Sequence, residues 1–351
     1  MKEIAGPTVG MVMAECAQVG LMIVSKAAMS RGMSNPIFIF YSNAFAALIL
    51  LPASLLYHRR TQLPPLSFSV VSQLFLLGLL GCLAQIFGYA GINYSSPTLG
   101  TAMLNLVPGF TFVLAIIFRM ERLDWRRASA LAKSVGTFVS IAGAFVITFY
   151  KGPALIARSP SLSFNSHLLL SVQPNWVLGG LLLAADCVMG SAWLILQVVV
   201  LKKYPAELIV VFFYCFFVAI QSAIISLCVE GVSSAWSLKS RIWLISVLYS
   251  GIFGSAFQVG VCTWCLHRTG PVFVSMFKPV GIAIAVVAGV IFLGDTFYLG
   301  SLLGSCIIVI GFYSVVWGKA NEEKVRIDSQ VGVVQPNSRK VPLLETIFEE
   351  I

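Results

Sequence analysis

The sequence predicts an all-α integral membrane protein, with ten transmembrane helices arranged as two inverted five-helix repeats. Three observations carry that expectation. Hydrophobic residues make up 58% of the 351 and charged ones only 11%, whereas a soluble domain is about 25% charged. The apolar residues fall into ten runs, each clearing the roughly 18 residues that cross a bilayer. The chain also repeats itself. Gly81 matches Gly254 and Gln85 matches Gln258 at an offset of 173, and Ala14-Glu15-Cys16 matches Ala185-Asp186-Cys187 at 171. Pro97 matches Pro271, and Glu121 matches Asp295, at 174. A repeat holding an odd number of spans inserts its second copy upside down, and many membrane carriers use that arrangement to build a gate on each side.

In chain order, the first copy is expected to span at 7–29, 35–57, 68–91, 97–118 and 129–150. The second is expected to span at 175–201, 205–228, 241–265, 271–293 and 296–317. This divides the chain into a first repeat at 1–150, a connecting loop at 151–174, a second repeat at 175–318 and a tail at 319–351. The tail holds five basic and six acidic residues with little periodicity, the composition of a disordered cytoplasmic segment. Only six residues precede Pro7, so no cleavable leader is expected and the first helix is read as an anchor.

Lys and Arg set the expected orientation. With the amino terminus inside, sixteen fall on the cytoplasmic side and five outside (Arg31, Lys151, Arg158, Lys239 and Arg241), while Lys26 and Lys278 lie within spans. Both termini are therefore expected in the cytoplasm. The net charge of +9 is mostly this asymmetry; it speaks for topology in a lipid bilayer and for no nucleic-acid partner. All eight cysteines fall inside predicted spans, away from loops where a disulfide framework forms. Cys262-x-x-Cys265 has the spacing of a metal or redox pair, but two thiols on one helix make an incomplete zinc site.

Charges inside a bilayer cost roughly 2.5–3.5 kcal/mol each on insertion scales, so each needs a reason. Glu15 lies about 12 Å into the first helix and Asp186 about 15–17 Å into the sixth, at 1.5 Å per residue. Against a core about 30 Å thick, the two acids approach the middle from opposite sides. They are read as binding a solute or proton, the alternative being buried structural acids, neutral or paired with Lys278. Glu15, Gln18, Met22 and Lys26 share one helix face, and Asp186, Gly190, Trp193 and Gln197 form the matching stripe. Gln85 and Gln258 either line a passage or hydrogen-bond neighbouring helices together. Lys278 stands about 10 Å into the ninth helix, immediately before Pro279, which removes a helix hydrogen bond. Pro108, after Asn105, marks a bend in the fourth helix, and breaks of this kind supply hinges and free carbonyls. Lys26 and Lys133 are expected to snorkel to headgroups.

No nucleotide-binding Gly-Lys-Ser/Thr loop is present, which argues against ATP-driven pumping. The three histidines, His58, His167 and His267, lie in or near expected loops. No Ser/His/Asp or His/Asp metal set can be drawn in the spans, so neither an enzyme nor a cofactor is expected.

Several segments resemble one known family. They are Ser25-Lys26-Ala27-Ala28, Thr101 through Phe112 (TAMLNLVPGFTF) with Arg119-Met120-Glu121, Ala132 through Thr137 (AKSVGT), Gly270 through Pro279 (GPVFVSMFKP), Leu293-Gly294-Asp295, and Gly311 through Lys319 (GFYSVVWGK). In combination they resemble the plant nodulin-21-like, Walls-Are-Thin-related branch of the drug/metabolite transporter superfamily. The resemblance implies two tandem five-helix EamA-type domains, no enzyme activity, and carriage of small organic solutes. Members of this branch are similar to bidirectional amino-acid facilitators, and at least one relative is associated with auxin at the vacuole. The resemblance places the chain at the plasma membrane, with the vacuolar membrane the alternative. Where the branch commonly reads Tyr-Arg-Asn in the second helix, this chain has Tyr41-Ser42-Asn43.

The expectation is therefore a carrier moving amino acids or related small organic solutes by alternating access. Glu15 and Asp186 would set the charge at the midplane. Gln18, Gln85, Asn105 and Gln258 would offer hydrogen bonds, and Lys278 would meet a carboxylate. The rivals are a carrier for auxin or another indole or phenolic acid, and a non-transporting scaffold acting through its tail. Gly300-x-x-x-Gly304 is a small-residue spacing that permits a homo-oligomer.

Overall fold

Among the described residues, ten apolar segments fold into one helical bundle, and eight are long and apolar enough to cross a membrane. The computed structural model describes residues 2–29, 31–58, 65–94, 103, 105–120, 128–150, 152–156, 176–230, 236, 240–288 and 297–334. The helices are α1 (Lys2–Met29), α2 (Asn35–His58), α3 (Phe68–Tyr94), α4 (Val107–Ile117), α5 (Ala128–Phe149), α6 (Trp176–Lys203) and α7 (Glu207–Glu230). Then come α8 (Arg241–Thr269), α9 in two pieces (Pro271–Ser275 and Phe277–Ala288), and α10 (Leu299–Val334). Glu121, Asp295 and Pro97, three of the repeat's matched positions, lie outside the described residues, as does most of the connecting loop.

The two segments described over shorter lengths are α4 and α9, the fourth and ninth in order, each close to residues outside the described set. They occupy corresponding places in the two halves. The sequence predicts one continuous helix over 97–118, but the described helix begins at Val107, after a turn at Asn105-Leu106. Pro108 cannot donate to the Leu104 carbonyl, so a helix can start there but not run through it. Likewise the described residues 271–288 form a helix bent at Met276. Pro279 has no N–H for the Ser275 carbonyl, while Met276 keeps helical φ and ψ and its N–H bonds the Val272 carbonyl at 3.2 Å.

Packing runs mainly between the halves. The α1 helix lies against α8 and α9, as α6 lies against α3 and α4; α2 packs on α7, α5 on α10, and α4 on the first piece of α9. Each pairing is its own partner, or maps onto another, when the halves exchange, which is the signature of a pseudo-two-fold. Glycines at matched positions show it at atomic scale. A Cβ at Gly78 would lie 2.8 Å from Phe217 on α7, and one at Gly251 would lie 2.7 Å from Phe45 on α2. Along the α5–α10 seam, Gly136 and Gly143 oppose Gly311 and Gly304 so closely that an added Cβ would sit 2.6–2.9 Å from a facing carbonyl. Ser140 donates to the Ile308 carbonyl across that seam at 3.3 Å. Gly304, half of the spacing expected to permit self-association, is therefore occupied by α5 of the same chain.

Four further features depart from expectation. Lys133 does not snorkel: it is 4% exposed and its stem lies against Gly318 of α10. The last helix continues past residue 318 to Val334, where the sequence reads as a structureless tail; Ala320, Glu322, Glu323, Lys324 and Arg326 are good helix formers, and propensity extends a helix already nucleated. A two-stranded pairing, β1 (Ala154–Ile156) with β2 (Phe297–Tyr298), ties the start of the interdomain connection to the head of α10. The α8 helix carries a nine-residue π-helical stretch, Ser250–Gln258, which rests on α1 and α2; such stretches are rare and frequent at functional sites.

Candidate functional site

Lys278, one residue before the proline that bends α9, reaches α1 and ion-pairs Glu15, with Nζ 3.2 Å from Oε1. The two ends of the pair differ. The Glu15 side chain is 4% exposed and that of Lys278 is 37% exposed, so the acid is the more deeply sealed of the two. Gly281 makes the approach possible: a Cβ there would stand 2.5 Å from Glu15 Oε2. Lys278 and Gly281 are three apart on one face of the helix.

Asp186 of α6 stands near the same amine. It lies within Coulombic range of Lys278 and forms no direct ion pair among the described residues. Gly88 of α3 abuts its carboxylate, and a Cβ at that glycine would lie 2.9 Å from Oδ2. Glu15 and Asp186, matched by the repeat, thus both act on one lysine. Tyr89 joins from α3, within range of the Asp186 charge and hydrogen-bonded to Ser25 of α1. Cys262 of α8 lies close enough to feel both Glu15 and Lys278.

A second group of polar residues adjoins the first. Gln85 hydrogen-bonds the Tyr214 hydroxyl, and Tyr214 lies near Cys262 with its ring 5.5 Å from that of Trp193. Gln197 is fully buried and donates to Thr263 of α8 at 2.5 Å. Gln197 and Gln85 therefore join helices, the alternative role of membrane amides. Gln18 and Gln258 are half-buried, the first one turn along α1 from Glu15 and the second closing the π stretch.

Asn105 stands apart from these groups. It is fully buried in the turn before α4, and both of its amide atoms lack a partner. The α4 turn is docked on α6: Cys187 donates to the Met103 carbonyl at 3.0 Å and Ser191 to the Val107 carbonyl at 3.2 Å. No described contact joins Asn105 to the Glu15–Lys278 pair. Met22, expected on the Glu15 face, is exposed. The Lys26 side chain lies outside the described residues.

Sequence reasoning missed Gly88, Gly281, Tyr214 and Thr263. The glycines leave no signal in one sequence, since small residues are common throughout membrane helices. Among the described residues no group of three or more His, Cys, Asp or Glu side chains could hold a metal, and all eight cysteines are free. Ser42, where the resembled branch commonly has arginine, is buried at the α2–α8 contact, its carbonyl 3.0 Å from a Cβ built on Gly251.

Comparison with known proteins gives consistent matches. The EamA-like transporter family matches residues 9–149 and 177–317. The WAT1-related protein At3g28050 of Arabidopsis thaliana is 47% identical over 352 residues, covering 97% of this chain and 95% of that protein. The WAT1-related protein At5g40240, also of Arabidopsis thaliana, is 45% identical, covering 91% and 88%. A crystal structure with 16% identity superposes with a TM-score of 0.65 over 91% of this chain and 99% of its own, which shows a shared fold.

Proposed function

The chain belongs to the EamA-like transporter family, a multi-pass membrane transporter of small solutes, and on that premise we propose that it carries amino acids by alternating access. The observation behind this reading is the Glu15–Lys278 pair on an interrupted helix. Short or broken helices at matched positions of inverted repeats are where transporters of this architecture bind solute. An amino acid brings a carboxylate and an ammonium, and the site offers both complements. Lys278 receives the carboxylate, in competition with Glu15, and the midplane acids receive the ammonium. Binding then perturbs the contact between α1 and α9, which ties the two halves together.

Gln18 and Gln258 supply hydrogen bonds at the edges in this reading, Gln85 acts through Tyr214, and Asn105 positions the α4 turn. A purely anionic solute such as an indole acid has no ammonium to offset Glu15 and Asp186, which repel it. The test is flux through purified protein in liposomes with labelled amino acids and a labelled auxin, with and without a pH gradient. Amino-acid flux in both directions without a gradient supports a facilitator; flux of the auxin alone overturns the substrate. Lys278→Ala, checked for insertion, is expected to abolish flux, and unimpaired flux would remove the lysine from the mechanism.

A further inference from the structure

The inner stripe of α6 holds one group that the site leaves unpaired. Lys278 has its direct ionic partner in Glu15, 3.2 Å away, whereas Asp186 has none among the described residues. Its carboxylate is half-buried, held from behind by Gly88. One turn further along the same face comes Gly190, and a Cβ built there meets nothing within 4 Å. Three residues beyond stands Trp193, whose ring lies against Tyr214 and whose indole N–H has no partner. Acid, gap and aromatic wall succeed one another at spacings of four and three, so they line one helix face. That face is turned inward, since Asp186 abuts α3, Trp193 abuts α7 and Gln197 bonds α8.

We propose that this stripe is the side-chain subsite of the carrier: Asp186 takes the ammonium of the solute, the gap at Gly190 takes its apolar side chain, and Trp193 closes the far end. The inference rests on the transport reading above and narrows it. Carried solutes bear a primary ammonium, and Gly190 sets the size of the apolar group attached beside it. The physical reasons are separate. An unpaired carboxylate inside a bilayer is costly until a cation meets it, and a missing side chain on an otherwise lined face leaves volume that a ligand's apolar group can fill.

The test measures uptake of labelled leucine, alanine and 4-methylpentanoate, the last being leucine without its ammonium, into liposomes holding the full chain. Gly190→Leu fills the gap, and the leucine-to-alanine flux ratio is expected to fall at least tenfold, with Gly190→Ala intermediate. Asp186→Asn is expected to abolish amino-acid flux, and the wild type is expected to ignore 4-methylpentanoate. Thermal unfolding in detergent establishes that each variant is folded, and the Gly190→Ala ratio stands in if Gly190→Leu is not. A wild type that moves leucine but keeps the same ratio in the Gly190 variants overturns the subsite and spares the transport reading. A wild type silent toward both amino acids overturns the two together.

Discussion

Glu15 and Lys278 are proposed to bear on transport as well as stability, and single substitutions separate the two effects. Removing one partner of a buried ion pair costs about 3–5 kcal/mol, because the other is left uncompensated. Lys278→Ala strands the sealed Glu15 and is expected near the lower end, since the lysine is half-exposed; chemical or thermal unfolding in detergent reads it. Gly281→Ala is the cleaner probe. Its Cβ would crowd Glu15 Oε2 at 2.5 Å, and the carboxylate can shift while staying beside the lysine, so neither charge is left uncompensated. Flux is therefore expected to fall at least tenfold while stability falls by no more than about 1 kcal/mol. Equal losses of both would mean that the pair is structural.

Among the elements, the α5–α10 seam and the interrupted helices behave oppositely. The seam is backbone against backbone, with Gly136, Gly143, Gly304 and Gly311 meeting carbonyls that cannot move independently. Gly304→Ala meets the Gly143 carbonyl at 2.6 Å, and overpacking of this kind costs about 1–3 kcal/mol. A lowered melting temperature with residual flux is expected, the reverse of the Gly281→Ala pattern. In α9 the bend at Met276 is set by Pro279. Pro279→Ala restores the missing donor and is expected to straighten the helix, raise thermal stability and slow transport; faster flux would show that the bend is no hinge.

For the whole molecule, contacts between the halves dominate: α1 on α8 and α9, α3 on α6, α2 on α7 and α5 on α10. Each half leaves its faces apolar for the other. Either half expressed alone is therefore expected to aggregate or be degraded, while co-expressed halves cut within 157–175 are expected to reassemble and transport. Recovery of a stable single half, read by size exclusion in detergent, would contradict this. The Lys/Arg asymmetry further predicts both termini in the cytoplasm, which tags at each end probed with membrane-impermeant reagents will test.

Composition and periodicity determined the membrane class, the ten apolar segments and the two-repeat organisation, because burying apolar residues in lipid demands long helices whatever the tertiary contacts. They also singled out Glu15, Asp186 and Lys278, since a charge at that depth is expensive and shows against an apolar background. The tertiary structure decided how those charges pair. Lys278 meets Glu15 from the opposite half of the chain, and Gly281 and Gly88 let the carboxylates in. It also decided that Asn105 is sealed, that Gln85 binds Tyr214, that Lys133 is buried and that Gly304 serves α5. The physical reason is the same in each case. Depth follows from position along one helix, but a partner follows from which faces of two helices meet, and one sequence does not contain that pairing.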